Sequence, residues 1–262
     1  KLELQDYLTR RIPPFDPLAH ADDWASFADG LRQRVLEQVV LRGVPDAWLG
    51  VERAVVWGAT IETAHGYRIR KLRYEAVPGL WIPALLYEPT LLGAQVPAVL
   101  NVNGHVGPIG KAIDYKQLRC INLAKRGLLA LNLEWLFFGE LQGEMYAHNR
   151  SGYLDLVGVA GVAVFFLAMQ RGLEILLNHP DTDAGRVAVT GLSGGGWQTI
   201  VLSALDTRVR LATPVAGYIG LEQRVQCHGD IGDLEQNPTD LVRTEDYPWL
   251  TALLAPRPAL LV

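Results

Sequence analysis

An α/β fold on a mostly parallel, doubly wound sheet with helices on both faces is predicted by three observations. Apolar runs of strand length recur from residue 96 onward and alternate with helix-like stretches, the pattern of strands buried on both faces. A Gly-x-Ser-x-Gly turn stands between one such strand and the helix that follows it. Finally, 49% of the 262 residues are apolar, enough to fill one large core and to exclude a disordered chain.

Residues 23–42 place Trp24, Phe27, Leu31, Val35 and Val39 at helical spacing, with Gly43 as a stop, so an amphipathic helix is expected there. Residues 1–50 accordingly read as a helical extension packed on a main domain of residues 51–262. From 52 to 88 the pattern is that of strands. Tyr67 and Ile69 alternate, the phase slips, and Leu72 and Tyr74 resume, which predicts a bulge. Leu80–Pro89 is a second strand, and Pro83 within it suits an edge or a bulge. The sheet core then follows as Val96–Val102, a helix over 111–126, a strand over Leu128–Leu133, one long helix over 153–177, a strand over Arg186–Thr190, a helix over 195–205 and a strand over Leu211–Ala216.

A net charge of −4 and a pI of 5.9 argue against a nucleic-acid partner, for which a basic stripe is expected. The most apolar stretch, Leu156–Met169, is shorter than the roughly 18 to 20 residues a membrane span requires. Asp155 and Arg171 bracket it, so it reads as a buried helix rather than a membrane segment. Cys120 and Cys227 are too few for a disulfide framework or a four-ligand zinc site, and no metal or cofactor is expected. The chain starts at Lys1, so the sequence does not reveal a compartment or a removed signal peptide.

The chemistry concentrates at Gly191-x-Ser193-x-Gly195, placed between the strand ending near Thr190 and the following helix. In a nucleophile elbow the chain turns so sharply that flanking side chains collide, hence the glycines. The serine is lifted to a helix N-terminus, where backbone N–H groups and the dipole favour developing negative charge. No Gly-Lys-Ser/Thr closes the motif, so a phosphate loop is disfavoured. After the first core strand comes Asn101-Val-Asn-Gly104-His105-Val-Gly107, a loop suited to supply the second oxyanion donor. The candidate donors are the backbone N–H groups of Gly194 and Val106.

These segments, with Phe138-Gly139-Glu140 between them, resemble the α/β-hydrolase superfamily. More narrowly, His179-Pro180-x-x-Asp183-x-x-Arg186 before the elbow, and Asp246-Tyr-Pro and Ala255-Pro-Arg-Pro258 after it, resemble the acetyl xylan esterase and dipeptidyl-aminopeptidase-like branch. The resemblance spans residues 55–262 and implies a serine hydrolase acting on small esters. In that pattern the acid follows the strand beginning at Pro258 and the histidine lies one strand later, both past Val262. The chain is therefore expected to be part of a longer hydrolase.

Within the chain, Asp230, Asp233 and Glu235 are alternative orienting acids and His228 an alternative base, although His228 precedes those acids, against the usual order. The same segment also reads as a cleft-side loop held by Asx turns and caps. A peptidase of the same superfamily and a non-catalytic binding protein on this scaffold are the competing functions. Peptidases of the branch carry a propeller, for which about 90 residues ahead of the core sheet are too few. Trp81, Trp135 and Trp197 are candidates for a sugar-stacking cleft or for core packing.

Overall fold

The computed structural model describes residues 2–50, 54–93, 95–143, 148–217, 219–227 and 236–262. Its strands are Val55–Glu62 (β1), Tyr67–Val77 (β2), Leu80–Pro89 (β3), Val96–Asn101 (β4), Leu129–Leu133 (β5), Thr182–Leu192 (β6) and Leu211–Val215 (β7). They hydrogen-bond into one sheet in the order β1-β2-β3-β5-β4-β6-β7. The sheet is mixed: β1, β2, β3 and β5 pair antiparallel, whereas β5, β4, β6 and β7 pair parallel. The helices are Leu2–Thr9 (α1), Trp24–Val35 (α2), Asp114–Lys125 (α3), Gly152–Leu156 (α4), Val162–Leu177 (α5), Gly194–Leu205 (α6), Leu221–Cys227 (α7), Leu241–Thr244 (α8) and Tyr247–Ala252 (α9).

Alternation along β5 shows why both faces are covered. Leu129, Leu131 and Leu133 join the large core with α2, α5 and α6, while Ala130 joins Tyr87, Cys120 and Ala124 beneath α3. Successive strand residues point to opposite faces, so a strand with no polar face needs a helix layer on each side. Within α2 and its π-helical continuation Leu36–Val40, Leu31, Val35 and Val39 are buried as the spacing predicts. Arg32 ties this helix to the body by donating to the carbonyls of Ala204 (3.0 Å) and Leu253 (2.8 Å).

Three local expectations are corrected. The bulge belongs to β1 rather than β2: Trp57 pairs with Leu72 but Thr60 with Arg70, so β1 carries the extra residue. Pro83 lies in an interior strand, not an edge. It is tolerated one residue beyond the β5 ladder, which begins at Ala84 opposite Leu133. The long helix over 153–177 is broken between Leu156 and Val162. There Gly158 takes φ 86°, and the carbonyl of Gly158 abuts Gly43, where any Cβ would overlap it. Two poor helix formers, Gly158 and Gly161, lie in that break, and the packing of Gly158 on Gly43 is a contact that helical periodicity does not show.

Pro258 to Val262 runs parallel to β7: Leu260 N–H donates to Ala212 O (2.9 Å) and Ala216 N–H to Val262 O (2.8 Å). Among the described residues no helix is long and apolar enough to cross a membrane.

Candidate active site

Ser193 is the single residue between β6 and α6, with φ 60° and ψ −122°. A non-glycine residue held in such a region costs on the order of 1–3 kcal/mol and persists only where its surroundings over-determine it. Here they do. Ser193 N–H donates to Val215 O (2.8 Å) and Trp197 N–H to Ser193 O (3.1 Å), anchoring the turn to β7 and to the first turn of α6. A Cβ on Gly191 would overlap the Gly195 carbonyl, one on Gly195 would stand 2.7 Å from Val102 O, and one on Gly196 would overlap Ala216 O. All residues of α6 are buried. The glycines thus allow strand, helix and two neighbouring loops to close on one point.

The loop after β4 lies directly on this point. A Cβ on Gly104 would be 2.9 Å from the Gly194 amide nitrogen and 2.8 Å from that of Gly195, so only glycine lets this backbone approach the helix start. Beside it, the His105 imidazole stands over Gly194, with Nδ1 3.3 Å from where a Cβ would be, and Phe138 meets the same ring edge-on at 5.3 Å. Gln236 Nε2 also comes within 3.5 Å of where a Cβ on Gly194 would be. Val106 is half-buried and starts the 3₁₀ turn Gly107–Ala112. The structure therefore brings together Ser193, Gly194 and the loop carrying Val106. His228, Asp230, Asp233 and Glu235 lie outside the described residues.

Sequence reasoning missed what holds the loop after β4. Glu134, at the end of β5, is almost fully buried and accepts from Lys111 N–H (2.8 Å), Lys111 Nζ (3.0 Å), Trp135 N–H (3.2 Å) and Glu140 N–H (3.3 Å). Gly110 (φ 57°) and Gly139 (φ 52°) press so closely on this carboxylate that a Cβ on either would overlap it. Lys111 Nζ also contacts Glu140. Underneath, Asn103 donates to Asn132 Oδ1 (2.9 Å) and to Leu133 O, and Asn132 donates to Lys111 O (3.0 Å). One buried charge thus fastens the loops after β4 and β5 together, with Phe138 and His105 on their shared surface. A glutamate ending an otherwise apolar strand, and a Gly-Lys pair after a loop, were the available signals.

Beneath the same network Lys116 is buried with no hydrogen-bond partner for Nζ among the described residues, and burial pushes its ammonium down to about 7 against the opposing pull of Glu134. Across the elbow, Asp246 caps α9 by accepting from Tyr247 N–H (2.6 Å) and also takes Leu221 N–H (3.0 Å), joining the segment after β7 to α9. Trp135 and Trp197 are buried core residues and offer no sugar platform; Trp197 packs edge-on against Tyr247 at 4.3 Å.

The sheet order and the strand-turn-helix at Ser193 are those of the α/β-hydrolase fold. Residues 147–234 match the family model of acetyl xylan esterase. Among solved structures the chain is similar to a candidate acetyl xylan esterase from Bacteroides fragilis (20% identity, TM-score 0.80, covering 99% of this chain and 74% of that one). It is also similar to a methylesterase (24%, TM-score 0.71, 99% and 54%), about half of whose length it spans. A glucuronoyl esterase from Teredinibacter turnerae T7901 matches at 17% identity and a TM-score of 0.64, with 96% and 71% covered. The proteins it resembles, by family model and by structure, are thus carboxylic ester hydrolases. No curated protein sequence matches the chain.

Proposed function

We propose that this chain is a serine esterase that cleaves carboxylic esters borne on carbohydrate through an acyl-enzyme at Ser193. One observation carries the reading: Ser193 is held at φ 60° on a strand-to-helix turn whose first helical amides face a glycine loop from the neighbouring strand. Ser193 Oγ attacks the acyl carbon and its proton passes to a histidine base. The carbonyl oxygen becomes an oxyanion, received by the N–H groups of Gly194 and Val106. Collapse of this intermediate expels the alcohol, which takes the proton, and water then releases the acid by the same steps. Within the chain, His228 is the one histidine that follows the elbow in sequence. The esterase names among its structural relatives support an ester over an amide, and the acetyl xylan esterases among them, with the family model matched, support a carbohydrate alcohol.

The test is labelling by a fluorophosphonate together with hydrolysis of p-nitrophenyl acetate by the full-length protein. Wild type is expected to label and turn over. Ser193→Ala is expected to lose labelling and at least about 10³-fold in kcat. Equal labelling of Ser193→Ala, or amide cleavage without ester cleavage, overturns the proposal.

A further inference from the structure

A cleft of about 640 Å³ opens at the opposite end of the sheet from Ser193. Its wall includes His179, Pro180 and Asp181, which precede β6, whereas Ser193 follows that strand's last residue. Thr182 pairs with Val96 and Thr190 with Asn101, so the two ends of β6 lie at opposite ends of the sheet, on the order of 20 Å apart. The cleft therefore lies outside the catalytic machinery.

The floor is Glu88, fully buried on β3. It accepts from Arg68 Nε (2.8 Å) and Arg70 (3.4 Å) and pairs with His179 Nε2 (3.1 Å). Burial alone raises this carboxyl, but hydrogen bonds from His179 and Arg68 outweigh it and hold Glu88 below the usual range, so it stays charged and fixes both guanidinium planes. The Arg70 guanidinium lies 4.0 Å over the Trp57 ring, and Trp57 remains 41% exposed on the edge strand. Three arginines (Arg68, Arg70, Arg171) meet four carboxylates along the wall. Such a near balance offers no net attraction to a polyanion. It does offer fixed planar donors and acceptors beside an aromatic surface, which is what a polyhydroxylated ring with one apolar face requires.

We infer that this cleft is a second, non-catalytic binding site for a neutral saccharide, with Trp57 as the stacking surface and the Glu88-oriented arginines, with Asn178, as the hydroxyl partners. Only the choice of sugar as ligand class leans on the esterase reading; the cleft stands without it.

Isothermal titration of Ser193→Ala with xylohexaose tests this directly. Measurable binding is expected, weakened about tenfold or more by adding Trp57→Ala, and weakened also by Asn178→Ala as an independent variant. Oligogalacturonate of the same length is expected to bind more weakly than xylohexaose. No binding of xylohexaose at about 10 mM, unchanged affinity in both variants with native melting temperatures, or a preference for oligogalacturonate overturns the inference. Wild-type p-nitrophenyl acetate hydrolysis, measured in parallel, reports on the esterase reading alone. Trp57→Ala is expected to leave that rate unchanged.

Discussion

Ser193 shows how much one residue's backbone depends on others having no side chain. Its positive φ is sustained because Gly191, Gly195 and Gly196 let three carbonyls come within what would be Cβ distance. A methyl at Gly191 meets the Gly195 carbonyl, which belongs to a buried helix and cannot retreat. Gly191→Ala is therefore expected to destabilise the protein by about 1–3 kcal/mol, read as a lower urea midpoint at unchanged slope. A midpoint within error of wild type would show that strand and helix can part here. The motif Gly191-x-Ser193-x-Gly195 was legible because the clash between Gly191 and the Gly195 carbonyl lies within five consecutive residues, although Gly195 itself is also required by Val102 on another segment. Gly104 was legible only as a turn residue. Its closeness to the amides of Gly194 and Gly195 links segments ninety positions apart, and no local pattern encodes that.

Among the elements, the loops after β4 and β5 behave as one unit because Glu134 accepts from both. Glu134→Gln keeps the volume but removes the charge facing Lys111 Nζ and turns one acceptor into a donor aimed at N–H groups. The loop carrying Val106 should then lose its register on the elbow. For p-nitrophenyl acetate, kcat is expected to fall between about 10- and 100-fold while KM changes little. An unchanged kcat would separate this network from catalysis. The strands were largely readable, since runs such as Leu129–Leu133 are apolar apart from Asn132 and lack the alternation of a solvent-facing strand. The break between α4 and α5 and the interior position of β3 were not. Both depend on partners, namely Gly43 against Gly158 and β5 alongside β3, that periodicity cannot supply.

At the scale of the whole molecule, two buried charges of opposite sign should tilt the pH dependence of stability in opposite directions. Lys116 is held at about 7, below its unfolded value of 10.5, so the folded state binds this proton more weakly. The stability cost is absent above pH 10.5 and grows as pH falls toward 7. Lys116→Met is thus expected to raise Tm by several degrees at pH 6 and by little near pH 10. Glu245 is raised to about 7 from 4.5 by burial, opposed by Arg34 and reinforced by Asp246. Its contribution is intact below pH 4.5 and lost as pH rises through 7. Glu245→Gln should therefore raise Tm at pH 8 and leave it nearly unchanged at pH 4. Calorimetric melting across pH checks both, and the reverse trend in either variant would contradict its burial.

The sequence by itself determined the alternation of strands and helices and the elbow, because each rests on periodicity or on sterics within a few neighbouring residues. The tertiary structure alone decided the rest. It placed the bulge in β1, drove Glu134 and Lys111 into one buried network, sent Trp135 and Trp197 to the core, and left Trp57 beside an arginine cleft at the far end of the sheet. Those outcomes turn on which distant residues share a buried volume. Burial is where charge, hydrogen bonding and close packing act most strongly, and it is settled only when the chain has closed on itself.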